Sequence, residues 1–236
     1  MEQRLDKWIA SHTAHSRKEA KALIHRGLVT IDGRAARAGE EKIPAGAVIS
    51  VDGIPVLLQE HSYIMMNKPE GVLSATRDKH ATTVLDLVPP HLMRTGLFPA
   101  GRLDKDTTGF LLLTDDGAFA HELLVPKKHV PKTYHARLDH GTDWELLAAT
   151  FAEGITIGEG EETSPAQLLV LEDSEHPLVE LVIYEGMFHQ VKRMFAASQL
   201  LVTALKRVKI GALSLDPGLG PGECRQITEA EIASIW

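Results

Sequence analysis

Apolar positions recur at two different periods along this chain, and the switches between them mark out its elements. Leu5, Trp8 and Ile9 stand at i, i+3 and i+4, the spacing of a short amphipathic helix. Ser16-Arg17-Lys18-Glu19 is a capping box opening a second helix through Arg26, which Gly27 ends. Residues 28–31 then alternate as a strand into the tight turn Asp32-Gly33, and residues 48–51 repeat the pattern before Asp52-Gly53. Ile54-Pro55 and the polar residues 59–62 read as a linker. Beyond it, strands are predicted at 63–66, 110–113, 132–137, 168–171, 179–184 and 205–210. Short helices are predicted at 83–88, after Asp115-Asp116-Gly117, from Asp143 to about 153, and from Gly186 onward. A second capping box at Thr228-Glu229-Ala230-Glu231 starts a terminal helix. Strands dominate, with helices interspersed, so the fold class is α+β with a mixed or antiparallel sheet.

One stretch departs from both periods. Gly101-Arg102-Leu103-Asp104-Lys105-Asp106-Thr107-Thr108-Gly109 is polar, bounded by glycines, and followed by the apolar run 110–113. Glycines at both ends suit a backbone with unusual dihedrals or one approached closely by another molecule. A buried strand behind it is a rigid base for a functional loop.

Composition adds limits. The 236 residues are 44% hydrophobic and 24% charged, ordinary for a globular chain. No apolar run reaches a membrane span, and the N-terminus lacks a signal-peptide core. The single cysteine, Cys224, leaves no internal disulfide and fits a reducing cytoplasm. Net charge is −7, yet it is unevenly spread. Residues 1–26 carry six Lys/Arg against three Asp/Glu, while 123–137 hold four cations and 186–215 five, neither with an acid. Basic zones on an acidic background suit a localised nucleic-acid face. No paired metal-ligand spacing, Walker loop or dinucleotide fingerprint is present, so no cofactor is expected.

The nonapeptide resembles the catalytic signature of the RsuA family of ribosomal RNA pseudouridine synthases. Asn67-Lys68-Pro69-Glu70-Gly71, Lys132-Thr133-Tyr134 and the Gln190-Val191-Lys192-Arg193 helix add further family phrases in the same order. Arg4-Leu5-Asp6-Lys7, Ser16 to Ala20 and Gly27 to Gly33 resemble the RNA-binding module of ribosomal small-subunit protein four. The resemblance implies an RNA-binding domain at 1–57, a linker at 58–62 and a catalytic domain at 63–236. It implies isomerisation of one uridine of ribosomal RNA, small-subunit (16S) rRNA above large-subunit rRNA. Free rRNA or an assembling ribosomal subunit would be the partner, no membrane would be involved, and the chain would act as a monomer.

By the same resemblance Asp104 is the nucleophile and Lys192 the cation that keeps it ionised. Tyr134 stacks on the uracil and assists proton removal, and Val182 is the apolar wall beneath it. Arg102 fills the stack vacated by the flipped base. Gln190 and Arg193 contact substrate, and Asp106 orders the loop. Arg4, Lys7, Ser16, Arg17, Lys21 and Arg26 are the RNA contacts of the N-terminal module. One departure is Met187, where many members have Arg or Lys. Two rivals stand beside this reading. Asp104-x-Asp106-x-Thr108 also matches a phosphatase motif, which should end an apolar strand and bind Mg²⁺ through a distant acidic pair. A non-catalytic assembly factor would use the N-terminal module alone.

Overall fold

The computed structural model describes residues 3–44, 46–56, 61–158 and 160–236. Helix α1 (Leu5–His12) and helix α2 (Arg17–His25) pack on a four-stranded sheet of β1 (Val29–Ile31), β2 (Arg34–Ala35), β3 (Ile49–Val51) and β4 (Ile54–Val56). The predicted capping box closes α2, with the Ser16 hydroxyl and the Glu19 carboxylate bonding each other's backbone N–H. Asp32-Gly33 and Asp52-Gly53 adopt positive φ as two-residue hairpin turns require. The second turn returns the chain as β4, so Ile54 and Pro55 belong to the sheet and not to a linker. Positions 57–60, which hold most of the predicted linker, lie outside the described residues. Ser62 is buried, its N–H donating to Asp115 Oδ1 at 2.7 Å.

The first helix carries a buried carboxylate. Asp6 is fully buried and accepts a bidentate bond from Arg4 at 3.0 and 3.1 Å. Arg17 lies 3.2 Å and Lys21 3.7 Å from the same carboxylate. The Arg4 hydrogen bonds lead in pushing the Asp6 carboxyl down to about 2, against the burial that raises it. Arg4 and Lys21 also reach Glu40. Three of the predicted RNA contacts are therefore held within the module, and a fourth, Ser16, is the helix cap.

The second sheet begins with β5 (Tyr63–Lys68), followed by β6 (Phe98–Pro99), β7 (Thr108–Thr114), α3 (Gly117–Leu124) and β8 (Lys132–Leu138). Next come α4 (Trp144–Glu153), β9 (Thr156–Ile157), β10 (Glu161–Glu162), β11 (Gln167–Glu172), β12 (Leu178–Ile183) and α5 (Gln190–Ala197). The chain closes with β13 (Val202–Ile210), β14 (Leu213–Ser214), β15 (Cys224–Gln226) and α6 (Glu229–Ala233). Among the described residues nine strands share one sheet, β11-β12-β8-β13-β7-β5-β15, with β14 and β6 attached off the path. Pairing is antiparallel except between β13 and β7. Residues 84–87 form a single 3-10 turn rather than an α-helix. The helix predicted from Gly186 starts later, at Gln190, because His189 takes φ 49° and cannot belong to it.

The parallel contact is short. It registers Lys206 with Thr108 and Arg207 with Gly109 and joins the two halves of the sheet. Buried Arg207 donates from Nε to the Phe110 carbonyl at 2.7 Å across this seam. Gly109 has φ 97°, and a Cβ there would lie 2.2 Å from the Arg207 carbonyl oxygen. Only glycine fits. Gly109→Ala is expected to destabilise the protein by more than about 3 kcal/mol, through both steric overlap and left-handed backbone strain. Urea unfolding within about 1 kcal/mol of wild type would refute this account of the seam.

Asp6 generates a pH prediction. Its carboxyl is depressed in the fold, so the stabilisation is present above the unfolded value near 3.8 and disappears as pH falls toward about 2. Asp6→Asn should destabilise by between about 1 and 2 kcal/mol at neutral pH, the cations being half exposed. Urea titrations should show this gap closing as the medium is acidified from pH 4 toward 2. A pH-independent gap would exclude the ionic origin.

Candidate active site

The loop between β6 and β7 is fixed from below by the segment after β5. Ser74 clamps Leu103 twice, donating from its hydroxyl to the carbonyl at 2.8 Å and accepting the N–H at 3.1 Å. Gly71 N–H donates to the Lys105 carbonyl at 2.8 Å, and Thr107 N–H turns back to the Asp104 carbonyl at 3.1 Å. Lys68 is fully buried. Its ammonium donates to the carbonyls of Pro69, Lys105 and Thr107 at 3.1, 3.3 and 2.9 Å, using all three N–H groups. Burial lowers its pKa to about 8, while Asp106 and Asp104 pull the other way, so it is charged at neutral pH. Asn67-Lys68-Pro69-Glu70-Gly71 thus supplies the cradle of the loop. Strand alternation alone gave this lysine no special role.

Above the loop, a cleft is lined by Arg102, Leu103, Asp104 and Thr107, by Tyr134 of β8, Ile183 of β12 and Leu205 of β13, and by residues 186, 187 and 189–192. Asp104 is partly exposed and touched at both oxygens. Lys192 Nζ is 3.4 Å from Oδ2, and His189 Nε2 is 3.3 Å from Oδ1. Lys192 lies closer to Asp106, at 2.5 Å, and that hydrogen bond leads in lowering the Asp106 carboxyl below its ordinary value. The lysine therefore bridges both aspartates rather than serving Asp104 alone. Tyr134, 9% exposed, presents its ring to the same cleft. A carboxylate between an ammonium and an imidazole, over an aromatic ring, can act as a nucleophile on a flat electrophile.

Residues 62–197 match the RNA pseudouridylate synthase family model, and residues 3–49 match the S4 domain. The chain belongs to the RNA pseudouridylate synthase family. The synthase is 48% identical to an uncharacterised RNA pseudouridine synthase, YtzG, of Bacillus subtilis (strain 168), over 97% of this chain and 96% of the relative. It is 42% identical to the ribosomal small subunit pseudouridine synthase A of Vibrio cholerae, over 99% of both chains. Among solved structures, a pseudouridylate synthase crystal structure aligns over 99% of both chains at 39% identity with a TM-score of 0.69. The synthase is RsuA-like, with an N-terminal S4 domain and a pseudouridine synthase domain. Among the described residues no helix is long and apolar enough to cross a membrane.

The structure brings Asp104, Tyr134, Lys192, Arg102 and Gln190 to one cleft, and Val182 and Arg193 stand outside its lining. Val182 pairs with Thr133 and shares the opposite sheet face with it, and the β12 residue that lines the cleft is Ile183. Gln190 is buried, its Oε1 accepting Met187 N–H at 3.0 Å and its Nε2 donating to Glu185 at 2.8 Å. Arg193 donates to the carbonyls of Phe188 and Ile157 at 3.1 and 2.9 Å and pairs with Glu161. Gln190 and Arg193 therefore brace the loop 186–189, Gln190 from within the cleft lining. In the S4 domain Lys7 and Arg26 are exposed, and among the described residues neither has an ion pair. His189 was not expected to reach Asp104. It lies directly before the Gln190-Val191-Lys192-Arg193 phrase, and its left-handed backbone aims it there.

Lys68→Met keeps the length of the side chain and removes its three donors. It should destabilise the protein by about 2–3 kcal/mol and lower turnover, because buried carbonyls of the loop lose their partners. Wild-type unfolding and full turnover in this variant would show that the loop holds its shape without the lysine.

Proposed function

We propose that the synthase converts one uridine of small-subunit (16S) rRNA to pseudouridine, with Asp104 as nucleophile and the target base flipped out of its stack. The observation that carries this is the Asp104 carboxylate, in contact with Lys192 and His189 and facing the same cleft as Tyr134. Lys192 and His189 each contact one oxygen of the carboxylate and so position it for attack. Two electrophilic carbons are available to it, C1′ of the ribose and C6 of the uracil. In the first case Asp104 displaces uracil N1 from C1′, and C5 of the turned base then displaces the carboxylate. In the second, the C1′–N1 bond of the C6 adduct breaks, the base turns and bonds C1′ through C5, and the carboxylate leaves C6. The C5 proton then leaves, and Tyr134 is the group in the cleft suited to assist. The isomerisation balances with no oxidant, reductant or group donor. A uridine inside a helix cannot reach such a cleft, so the base must be extruded, and Arg102 at the exposed rim fills the gap.

The S4 domain supplies affinity through Lys7 and Arg26, with Arg4, Arg17 and Lys21 contributing the net charge left after Asp6 and Glu40. Ribosomal RNA, free or in an assembling subunit, is the partner, and the enzyme works as a cytoplasmic monomer. The small-subunit assignment is supported by relatives named for that subunit at 42% identity over nearly the whole chain. The phosphatase reading is disfavoured because Asp104 precedes its strand instead of ending one. Asp115 and Asp116 are also occupied, by Arg94 and by the cap of α3. An assembly factor leaves the cleft without a purpose.

The test is tritium release from carbon-5-labelled uridine in 16S rRNA, with no added nucleotide. Asp104→Asn should bind rRNA as wild type does and form no detectable pseudouridine. Lys192→Met should lose on the order of 10²–10³-fold in turnover, since a charge next to the reacting carboxylate is removed. Asp106→Asn should lose activity only in part, through the loop. Full turnover by Asp104→Asn would end the nucleophile assignment, and modification confined to large-subunit rRNA would end the 16S assignment.

A further inference from the structure

Phe188 is 73% exposed, more than any other large apolar side chain among the described residues. It stands on the loop between β12 and α5, immediately before His189. Its ring stacks on the His189 imidazole, with centroids 3.8 Å apart and planes 17° from parallel. His189 in turn touches Asp104 Oδ1 at 3.3 Å. Carboxylate, imidazole and phenyl thus form a ladder leading outward from the cleft, and it ends in an uncovered aromatic face.

This exposure does not come from a loose loop. The Phe188 carbonyl accepts Arg193 Nη1 at 3.1 Å, and Met187 N–H is held by Gln190 at 3.0 Å. His189 between them is fixed at φ 49°. Two buried or half-buried polar side chains and a left-handed residue are committed to presenting one apolar ring to water. The ring is flanked by His189 and by Met187, which packs against the core, so it stands as a single exposed ring and not as part of a broad apolar patch. A flat single ring at the mouth of a base-binding cleft suits a flat ligand.

We propose that Phe188 is a stacking platform for an unpaired nucleobase adjacent to the target uridine. The inference rests on the reading of the cleft as the site of uridine isomerisation. Once the uridine is extruded, its neighbour loses a stacking partner, and Phe188 replaces it by extending the phenyl–imidazole stack by one layer. Stacking of this kind is tolerant of base identity, so Phe188 contributes affinity and retention of the open strand without reading sequence.

The test pairs turnover with a binding readout that needs no chemistry. With 16S rRNA, Phe188→Ala should raise KM about tenfold with kcat little changed, as loss of uniform binding requires. Phe188→Trp should restore KM, whereas Phe188→Leu, apolar but not flat, should not. All three should melt with wild type, because the side chain is exposed. In parallel, the fluorescence of a single 2-aminopurine within an oligouridylate should be quenched by wild type and by Phe188→Trp, but not by Phe188→Ala. Unchanged KM in Phe188→Ala, rescue by Leu equal to that by Trp, or absence of quenching by wild type would each overturn the proposal. If wild type quenched the probe but made no pseudouridine, the isomerase reading would fail while the platform stood.

Discussion

The close approach of β13 to β7 is the constraint on which the site depends. Those two strands run parallel for only two registered pairs, and the approach is so tight that position 109 can carry no side chain. The seam sets the Asp104 loop, at the start of β7, one strand away from β13. Tyr134 lies on the next strand over, and Lys192 on the helix that leads into β13. Residues separated by 88 positions in the chain thereby come within ion-pair distance. The second glycine of the signature is thus a packing requirement, while Arg102 and Asp104 before it line the cleft.

Electrostatics in the loop are arranged on two levels. Beneath it, Lys68 is desolvated and gives all its hydrogens to carbonyls, so it shapes the backbone. Above it, the half-exposed Lys192 meets both carboxylates. A buried ammonium would be very unfavourable alone, but its carbonyl partners and the two nearby aspartates offset that. One lysine shapes the backbone that carries Asp104 and the other contacts its carboxylate.

The basic zones of the sequence resolve into unlike roles. In the S4 domain three cations surround buried Asp6, leaving Lys7 and Arg26 exposed. In the 186–215 zone, Arg193 frames a loop and Arg207 fastens the seam. Cation density along a chain marks where charge is available and says little about which cations face a partner. Partners such as Glu40 for Arg4 and Glu161 for Arg193 stand 36 and 32 residues away, beyond any local reading.

Local physics determined a good deal. The caps at Ser16, Asp143 and Thr228, the Asp-Gly turns and the alternation of β8 and β12 all follow from hydrogen bonds and dihedrals spanning a few residues. A glycine-bounded loop and two phrases carried the resemblance that singled out Asp104, Tyr134 and Lys192, which the fold gathers in one cleft. The tertiary structure decided the remainder. A strand's period of two says that Val182 and Ile183 face opposite ways, but only pairing with β8 says which faces the cleft. Lys68 looked like any strand residue until the loop closed over it. That Gln190 and Arg193 bond the backbone of Met187 and Phe188 follows only from the turn at His189. Sequence fixes interactions that close within one turn, whereas burial and register arise from contacts whose partners the chain brings together only on folding.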